Sequence, residues 1–395
     1  MGLNNIEILR QNGGVPATLP GEDHYSGLLV YLDDTDMPVA DAGVDGFSAT
    51  RRIIQISTIE YAESLGIRPD EGRIAQTVLH YHLSEAFRIN PAIVLWVGLF
   101  QDELNGNSFS DIKVMQNYAE GKIRQIGVYA PGRVLSSGDL TALQGVATNL
   151  EVNDMPLSIL YCARIASLTG LTSMSAIGLK NVSVLIGQGG GKFEREMTVV
   201  EDYPVGLVGN ALGMLSKVSV HESIAWVAKC PSGVETPAFM DGTLLKDVDA
   251  GVVTGLNDKR FIFLRTFGGL QGSFYNDSFT MDIGTSDYNA IERVRTMDKA
   301  CRGVRTYLLP HLSSPLYVDA ASGKLRQDTV AVLTDVANMA LEQMERDGEL
   351  SGWRVLIDPA QNVLSSSVVE IVIKNVPVGV MRRIRVKIGF TTKLD

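Results

Sequence analysis

The sequence of 395 residues has few cysteines and no long apolar run. Its three cysteines, Cys162, Cys230 and Cys301, cannot all pair, and each lies in an apolar or helical context, so we interpret them as reduced core residues. No apolar run reaches the ~18 residues of a membrane span. The N-terminus lacks the basic and apolar segments of a secretory signal. We therefore expect a protein that folds in the cytoplasm and has no membrane partner.

Positive charge is also scarce, because 35 Lys and Arg stand against 45 Asp and Glu, a formal net charge of −10. Binding to nucleic acid phosphates needs a basic surface, so nucleic acid is not the expected partner. The hydrophobic content of 45% is that of a globular chain with a sizeable core. The length corresponds to about two to three domains.

Catalytic motifs are missing as well. The glycine loop at 187–192 ends in Gly191-Lys192, but Ile186 and Phe193 stand where a P-loop needs glycine and Ser or Thr. His80 and His82 lie about 200° apart on a predicted helix, so one metal ion cannot easily bind both. We predict no enzyme, no cofactor and no metal. An α/β enzyme that binds a nucleotide or phosphate at 187–192 is the alternative.

An alternation of strands and helices fills the first two thirds of the chain. It predicts a mostly parallel sheet with helices on its faces. The predicted strands are 26–32, 51–57, 92–99, 126–129, 157–163, 182–186, 224–228 and 261–266. The predicted helices are 72–88, 111–124 and 139–150, the last with Ser137 as a possible N-cap. Gly206, Gly209 and Gly213 in the helix-like stretch 205–215 predict close packing against another element.

The C-terminal part has a different pattern, and we place a domain boundary near residue 275. Apolar stripes predict helices over 286–308 and 328–347, and alternation predicts strands at 353–358, 367–374 and 381–391. The fold class is α/β, or α+β for the chain as a whole. Four segments are predicted: an N-terminal arm at 1–20, an α/β domain at 21–275, a C-terminal α/β domain at 276–380 and a C-terminal strand arm at 381–395.

Both ends of the chain have the pattern of strands that need a partner. Side chains alternate across a strand, so an apolar row and a basic row of the C-terminal arm point in opposite directions. The apolar row is Ile384, Val386, Ile388 and Phe390, and the basic row is Arg383, Arg385 and Lys387. Near the N-terminus, Ile6 and Ile8 flank Glu7. These arms predict strand exchange between copies of the chain. The alternative is that the basic row is a solvated edge that blocks aggregation.

An ordered set of segments resembles the contractile tail sheath family of phages, phage-tail-like bacteriocins and related contractile injection systems. The segments are GSFYND at 272–277, RVRTMDK at 293–299, LLP at 308–310, GEL at 348–350, the strand series 368–374 and 382–390 with VPVG at 376–379 between them, and GEDHYSGL at 21–28. The resemblance covers the whole chain and is strongest over 270–395.

The resemblance implies a structural subunit that forms hexameric rings around an inner tube and contracts to drive the tube outward. Residues 21–275 would be an outer domain, 276–380 the sheath core, and the two arms would add strands to other copies. The implied partners are the chain itself, the inner tail tube protein, and baseplate and tail terminator proteins. The acidic face of the second C-terminal helix would contact the tube through Glu342, Glu345 and Asp347; a plain solvated face is the alternative. The resemblance implies assembly in the host bacterial cytoplasm, as part of a virion tail or tail-like particle.

Overall fold

A computed structural model describes residues 21–70, 72–101 and 108–390. These residues form two compact units. The larger unit contains residues 24–296 and 377–390, and the smaller unit contains residues 297–376 with the described residues before 24. Helices and strands alternate as expected, so the α/β class is confirmed. The division into four segments, with a boundary near 275, stays a prediction.

A mostly parallel sheet forms the centre of the larger unit, as predicted. Its strands are β1 (Tyr25–Tyr31), β2 (Ile53–Ile56), β3 (Val94–Phe100), β4 (Gln125–Val134), β5 (Ser158–Arg164) and β6 (Val182–Val184). Their order within the described residues is β2-β3-β1-β4-β5-β6, and β2 alone among them pairs in antiparallel fashion, with β3. The middle of β3 is an unbroken apolar run that is buried, as expected for a strand covered on both faces.

Helices and short pairs of antiparallel strands complete the larger unit. The helices are α1 (Ile59–Ser64), α2 (Ile74–Ile89), α3 (Asp111–Tyr118), α4 (Ser137–Val152), α5 (Lys192–Arg195), α6 (Val208–Lys217) and α7 (Ala250–Asp258), with a π-helical turn at Glu196–Val200. The short strands are β7 (Gly187–Gly189), β8 (Pro237–Phe239), β9 (Leu264–Phe267) and β10 (Leu270–Tyr275). No helix in the described ranges is long and apolar enough to cross a membrane.

Two local predictions for this unit are wrong. Helix α4 is capped by Ser136, whose Oγ accepts a hydrogen bond from the Asp139 N–H at 3.1 Å, and not by Ser137. Residues 224–228 form turns, not a strand. The N–H of Trp226 donates to the carbonyl of Ser223 at 3.1 Å, and the N–H of Cys230 donates to that of Trp226 at 2.8 Å. Hydrogen bonds between residues three and four positions apart belong to turns and are incompatible with an extended strand. The apolar composition of this stretch therefore gave the wrong prediction.

Glycines let α6 approach the backbone of α2, as the sequence predicted. A Cβ atom at Gly209 would lie 2.1 Å from the carbonyl oxygen of His82, and one at Gly213 would lie 2.9 Å from that of Ala86. Both contacts are four residues apart on their helices, so they repeat along one line of contact. The predicted close packing is confirmed, and α2 is its partner.

The smaller unit pairs two long helices with a small sheet. Its elements are the C-terminal part of α8 (Ile291–Leu308), α9 (Gln327–Arg346), β11 (Leu350–Leu356), α10 (Val363–Ser366) and β12 (Val372–Pro377). Its core joins Ala300 of α8, Leu341 and Met344 of α9, and Leu350 of β11. Trp353 is tied to α9 because its indole N–H donates to Asn338 Oδ1 at 2.9 Å. The helix predicted from 286 begins at Ile291.

We expect Gly209→Ala to destabilise the larger unit by about 1–3 kcal/mol, because the new methyl group overlaps the α2 backbone. This exceeds the gain in helix propensity, which is up to about 1 kcal/mol. The free energy of unfolding in urea measures the effect. Gly145→Ala, inside α4 with no atom within 4 Å of the new Cβ, is the matched control and should be neutral or stabilising. Equal effects of both substitutions would contradict the close approach.

We also expect a pH dependence from His82, which lies in α2 with its ring centroid 4.7 Å from that of Tyr129. Burial lowers the pKa of His82 from its ordinary value of 6.5 to about 3. Between these values the unfolded chain binds a proton that the folded chain does not. The free energy of unfolding should therefore fall with decreasing pH, by up to about 1.4 kcal/mol per pH unit. For the His82→Phe variant, the free energy of unfolding measured in urea should fall less steeply over this pH range. Identical slopes for the variant and the natural sequence would contradict the lowered pKa of His82.

Candidate assembly interface

The C-terminal segment is the most exposed apolar part of the chain that the structure describes. Its apolar side chains are all exposed: Ile388 is 93% exposed, Phe390 is fully exposed, and Ile384 and Val386 are exposed as well. Described residues 378–390 form neither helix nor strand within this chain. The segment therefore has the alternating sequence of a strand without a neighbouring strand, and strand formation at 381–391 stays a prediction. The basic side chains Arg383, Arg385 and Lys387 are exposed too.

Just before the alternating rows, Arg382 binds two buried carboxylates of the larger unit. Its Nε–H donates to both carboxylate oxygens of Asp277, at 2.9 and 3.0 Å, and its Nη2 donates to Glu292 Oε1 at 2.5 Å. The side chains of Asp277 and Glu292 are 12% and 3% exposed. Burial would lower the pKa of Arg382, but Glu292 and Asp277 outweigh burial and raise it.

Sequence reasoning did not identify these contacts. The sequence places Arg382 within the predicted strand 381–391, and Asp277 and Glu292 lie 105 and 90 residues away from it. Neither the GSFYND segment, which includes Asp277, nor the predicted helix 286–308, which includes Glu292, has a local pattern that pairs it with Arg382. No spacing rule connects residues so far apart in the sequence.

A second ion cluster lies in the smaller unit at the other end of the described chain. Lys299 Nζ donates to Asp23 Oδ2 and to Glu349 Oε1, both at 2.6 Å, and Arg302 Nη2 lies 3.6 Å from Asp23 Oδ1. Burial raises the pKa of Glu349, and Lys299 opposes this effect. The predicted N-terminal arm with Ile6 and Ile8, and residues 391–395, lie outside the described residues.

The acidic side chains predicted to face the tube are on the surface of the smaller unit. Glu342 and Glu345 of α9 and the adjoining Asp347 are exposed, whereas Leu341 and Met344 of the same helix are buried. Helix α9 is therefore amphipathic, as its sequence indicated. Exposure makes these carboxylates available to a partner, and their contact with a tube stays a prediction.

The smaller unit also contains a short sheet. Strands β11 and β12 form a two-stranded sheet among the described residues. An isolated pair of strands is only marginally stable in water, whereas further strands or a packed helix stabilise it. One face of the pair packs on α8 and α9 through Trp353, Val355 and Ile373.

The glycine loop does not have the structure of a phosphate site. Gly187–Gly189 is strand β7, is buried, and pairs in antiparallel fashion with β8. The Glu194 carboxylate lies beside the loop, 2.2 Å from where a Cβ atom of Gly189 would be, and it accepts a hydrogen bond from the Tyr81 hydroxyl at 3.2 Å. A carboxylate at this position would repel a phosphate. The alternative of a nucleotide-binding enzyme is not supported.

The two histidines of the HYH segment lie in different surroundings. His80 Nε2 is 3.1 Å from Glu63 Oε1 of α1, whereas His82 is buried against Tyr129. In the ranges that the structure describes, no group of three or more His, Cys, Asp or Glu side chains is arranged to hold a metal ion.

The fold resembles solved structures from contractile injection systems over nearly its full length. A chain of the 6-fold-symmetrised baseplate of the anti-feeding prophage matches 100% of this chain and 100% of its own, with a TM-score of 0.63 at 14% identity. A chain of the contracted PVC sheath complex matches 100% of this chain over 98% of its own length, with a TM-score of 0.59 at 12% sequence identity. The sheath tail protein of Desulfitobacterium hafniense matches 94% of this chain over 100% of its own length, with a TM-score of 0.55 at 7% sequence identity.

These similarities confirm that the chain has the fold of contractile sheath proteins, as the resemblance of its segments implied. A sequence search of curated proteins finds no match. Sequence profiles do match: the N-terminal domain of DUF2586 over residues 39–279 and the C-terminal domain of DUF2586 over residues 287–395. Because the first match alone covers more than half of the sequence, the chain belongs to the DUF2586 family.

Proposed function

We propose that this chain is the structural subunit of a contractile sheath. Copies form six-membered rings that stack around an inner tube, and strands donated by the terminal arms link the copies. On contraction the subunits move as rigid bodies and drive the tube outward. The role is structural, not catalytic. The subunit is assembled in the cytoplasm of a bacterial host and becomes part of a tail or tail-like particle.

The exposed segment 383–390 is the observation that carries this proposal. Four apolar side chains alternate with basic ones and are left exposed at the surface of an otherwise well-packed unit. Burying a Val, Ile or Phe side chain contributes about 1.5–3 kcal/mol. Ordering the backbone costs about 1–2 kcal/mol for each residue of the segment, so burial of the four side chains alone does not outweigh this cost. Pairing with a sheet adds main-chain hydrogen bonds, so a second copy of the chain is a favourable partner.

The sheet of β11 and β12 is the proposed acceptor in the neighbouring copy. It has two strands, a packed inner face and an apolar layer that a third strand would continue. The apolar row of the donated arm would face α8 and α9 of the acceptor. Arg383, Arg385 and Lys387 would face outward, where charge suits an exposed sheet surface.

Helix α9 is the proposed contact with the inner tube. Glu342, Glu345 and Asp347 are exposed and form an acidic group, so the complementary surface of the tube would be basic. Screened surface charges set orientation and encounter more than affinity, which suits a contact that has to release during contraction. Further proposed partners are the baseplate and tail terminator proteins at the two ends of the sheath.

Electron microscopy of the purified full-length chain at high concentration tests the proposal. We expect hollow tubes or six-membered rings. Ile384→Asp with Ile388→Asp should abolish them while the melting temperature stays unchanged, because the buried face of the donated strand would carry charge. Val39→Asp with Val152→Asp, at positions that are 72% and 77% exposed, is the matched control and should assemble normally. Normal tubes from the Ile384/Ile388 variant would contradict strand donation by this arm.

A second experiment tests the contact with the tube protein of the same particle. Glu342→Lys with Glu345→Lys should weaken co-assembly on preformed tubes roughly tenfold at low salt, where loss of about 1.4 kcal/mol of charge complementarity has this effect. The difference should shrink at high ionic strength. Glu201→Lys with Glu235→Lys makes the same charge change at exposed sites of the larger unit and should leave binding unchanged. An equal loss in both variants would point to net charge instead of α9.

A further inference from the structure

In the ion cluster of Arg382, Asp277 and Glu292, the contacts fix both the position and the orientation of the Arg382 guanidinium. We propose that this cluster, here called the root clamp, sets the reach and the facing of the donated strand by fixing Arg382 to the larger unit. The inference rests on the proposed function, in which residues 383–390 are donated to another copy.

Two observations make the root clamp a built anchor. The guanidinium binds two separate carboxylates, both oxygens of Asp277 through Nε and Glu292 through Nη2. Because a guanidinium is a planar fork, two such contacts fix its rotation as well as its place. The carboxylates are themselves held: the Ser278 N–H donates to Asp277 Oδ1 at 2.7 Å, and the Ser278 hydroxyl donates to Glu292 Oε2 at 2.6 Å.

The second basic side chain near this site does not take over the role of Arg382. Arg260 Nε donates to the carbonyl of Thr280 at 2.9 Å, and its Nη2 donates to the carbonyl of Asn289. Its guanidinium lies 4.5 Å from the Phe279 ring centroid. The hydrogen bonds of Arg260 thus go to backbone carbonyls, whereas Arg382 donates hydrogen bonds to both carboxylates.

The clamp sets the facing of the arm because side chains alternate along an extended strand. Arg382 and the apolar row all occupy even-numbered positions, so in an extended strand their side chains point to the same face. Fixing the Arg382 side chain therefore also fixes the face on which Ile384 and the later apolar side chains lie. A shift of one residue would turn this row to the opposite face. The clamp sets the reach because the free arm then begins at Arg383; the eight residues to Phe390 span about 26 Å when extended.

Insertions directly after Arg382 test the facing, and they lie in an exposed segment where the fold should tolerate them. One inserted alanine turns the apolar row to the opposite face relative to the clamp. We expect the yield of tubes to fall about tenfold, which corresponds to a loss of about 1.4 kcal/mol in binding free energy. Two inserted alanines restore the facing, and most of the yield should return. If one alanine is tolerated as well as two, the clamp does not set the facing and the proposal is wrong.

Limited trypsin digestion of the unassembled protein tests the clamp itself, independently of any assembly. Trypsin must take the Arg or Lys side chain into its pocket, so a clamped Arg382 should be cut much more slowly than Lys387 at early times. Asp277→Asn with Glu292→Gln should make the two rates similar, as mass spectrometry of the released peptides would show. Arg195→Gln, at an exposed arginine of the same unit, is the control and should leave both rates unchanged.

The outcomes separate this inference from the proposed function. If the natural sequence forms no tubes but Arg382 is protected from trypsin, the sheath proposal fails and the anchoring of Arg382 to the larger unit stands. If tubes form but Arg382 is cut as fast as Lys387, the sheath proposal stands and the clamp is overturned. Should the Asp277/Glu292 variant lose its fold by circular dichroism, the comparison of Arg382 with Lys387 in the natural sequence and the insertion series still decide.

Discussion

A β-strand needs a neighbouring strand, because each residue presents an N–H and a C=O group that must be hydrogen-bonded. In this chain the requirement is not met at residues 383–390. Their alternating apolar row is exposed, and the described residues supply no strand beside it. The rest of the molecule can be understood from this feature. The larger unit holds the base of the segment through Arg382, and in the proposed function the short sheet of another copy's smaller unit accepts the strand.

The larger unit is suited to act as a rigid body. Its sheet is buried between helices, and the α2 and α6 backbones touch at Gly209 and Gly213, where no side chain can slide or rearrange. Close-packed interiors of this kind transmit force with little deformation. In the proposed function, movement therefore takes place at the segments that connect one copy to another. Ion clusters hold the chain at Asp23 and at Arg382, just inside the two ends of the described chain.

Much of the fold followed from the sequence, because local patterns decide the type of most elements. The apolar run of β3, the amphipathic stripe of α9 and the glycines of α6 each predicted what the structure shows. Errors arose where local patterns were ambiguous. The stretch 224–228 is apolar but coiled by short-range hydrogen bonds, and the glycines at 187–189 form a buried strand instead of a loop. The pairing of Arg382 with Asp277 and Glu292 depends on tertiary structure and had no local signal. The alternating rows at 383–390 could be predicted, but their exposure could be seen only once the described residues were placed.

A short arm that leaves the body at a fixed point also acts as a tether. If each copy in a sheath is held by more than one donated strand, a strand that detaches stays close to its acceptor while the others hold. Its effective concentration there is then set by the length of the arm and not by the concentration of free subunits. Rebinding would outcompete escape, so a lattice of individually modest links would behave as one highly avid network and lose subunits only when several links fail together.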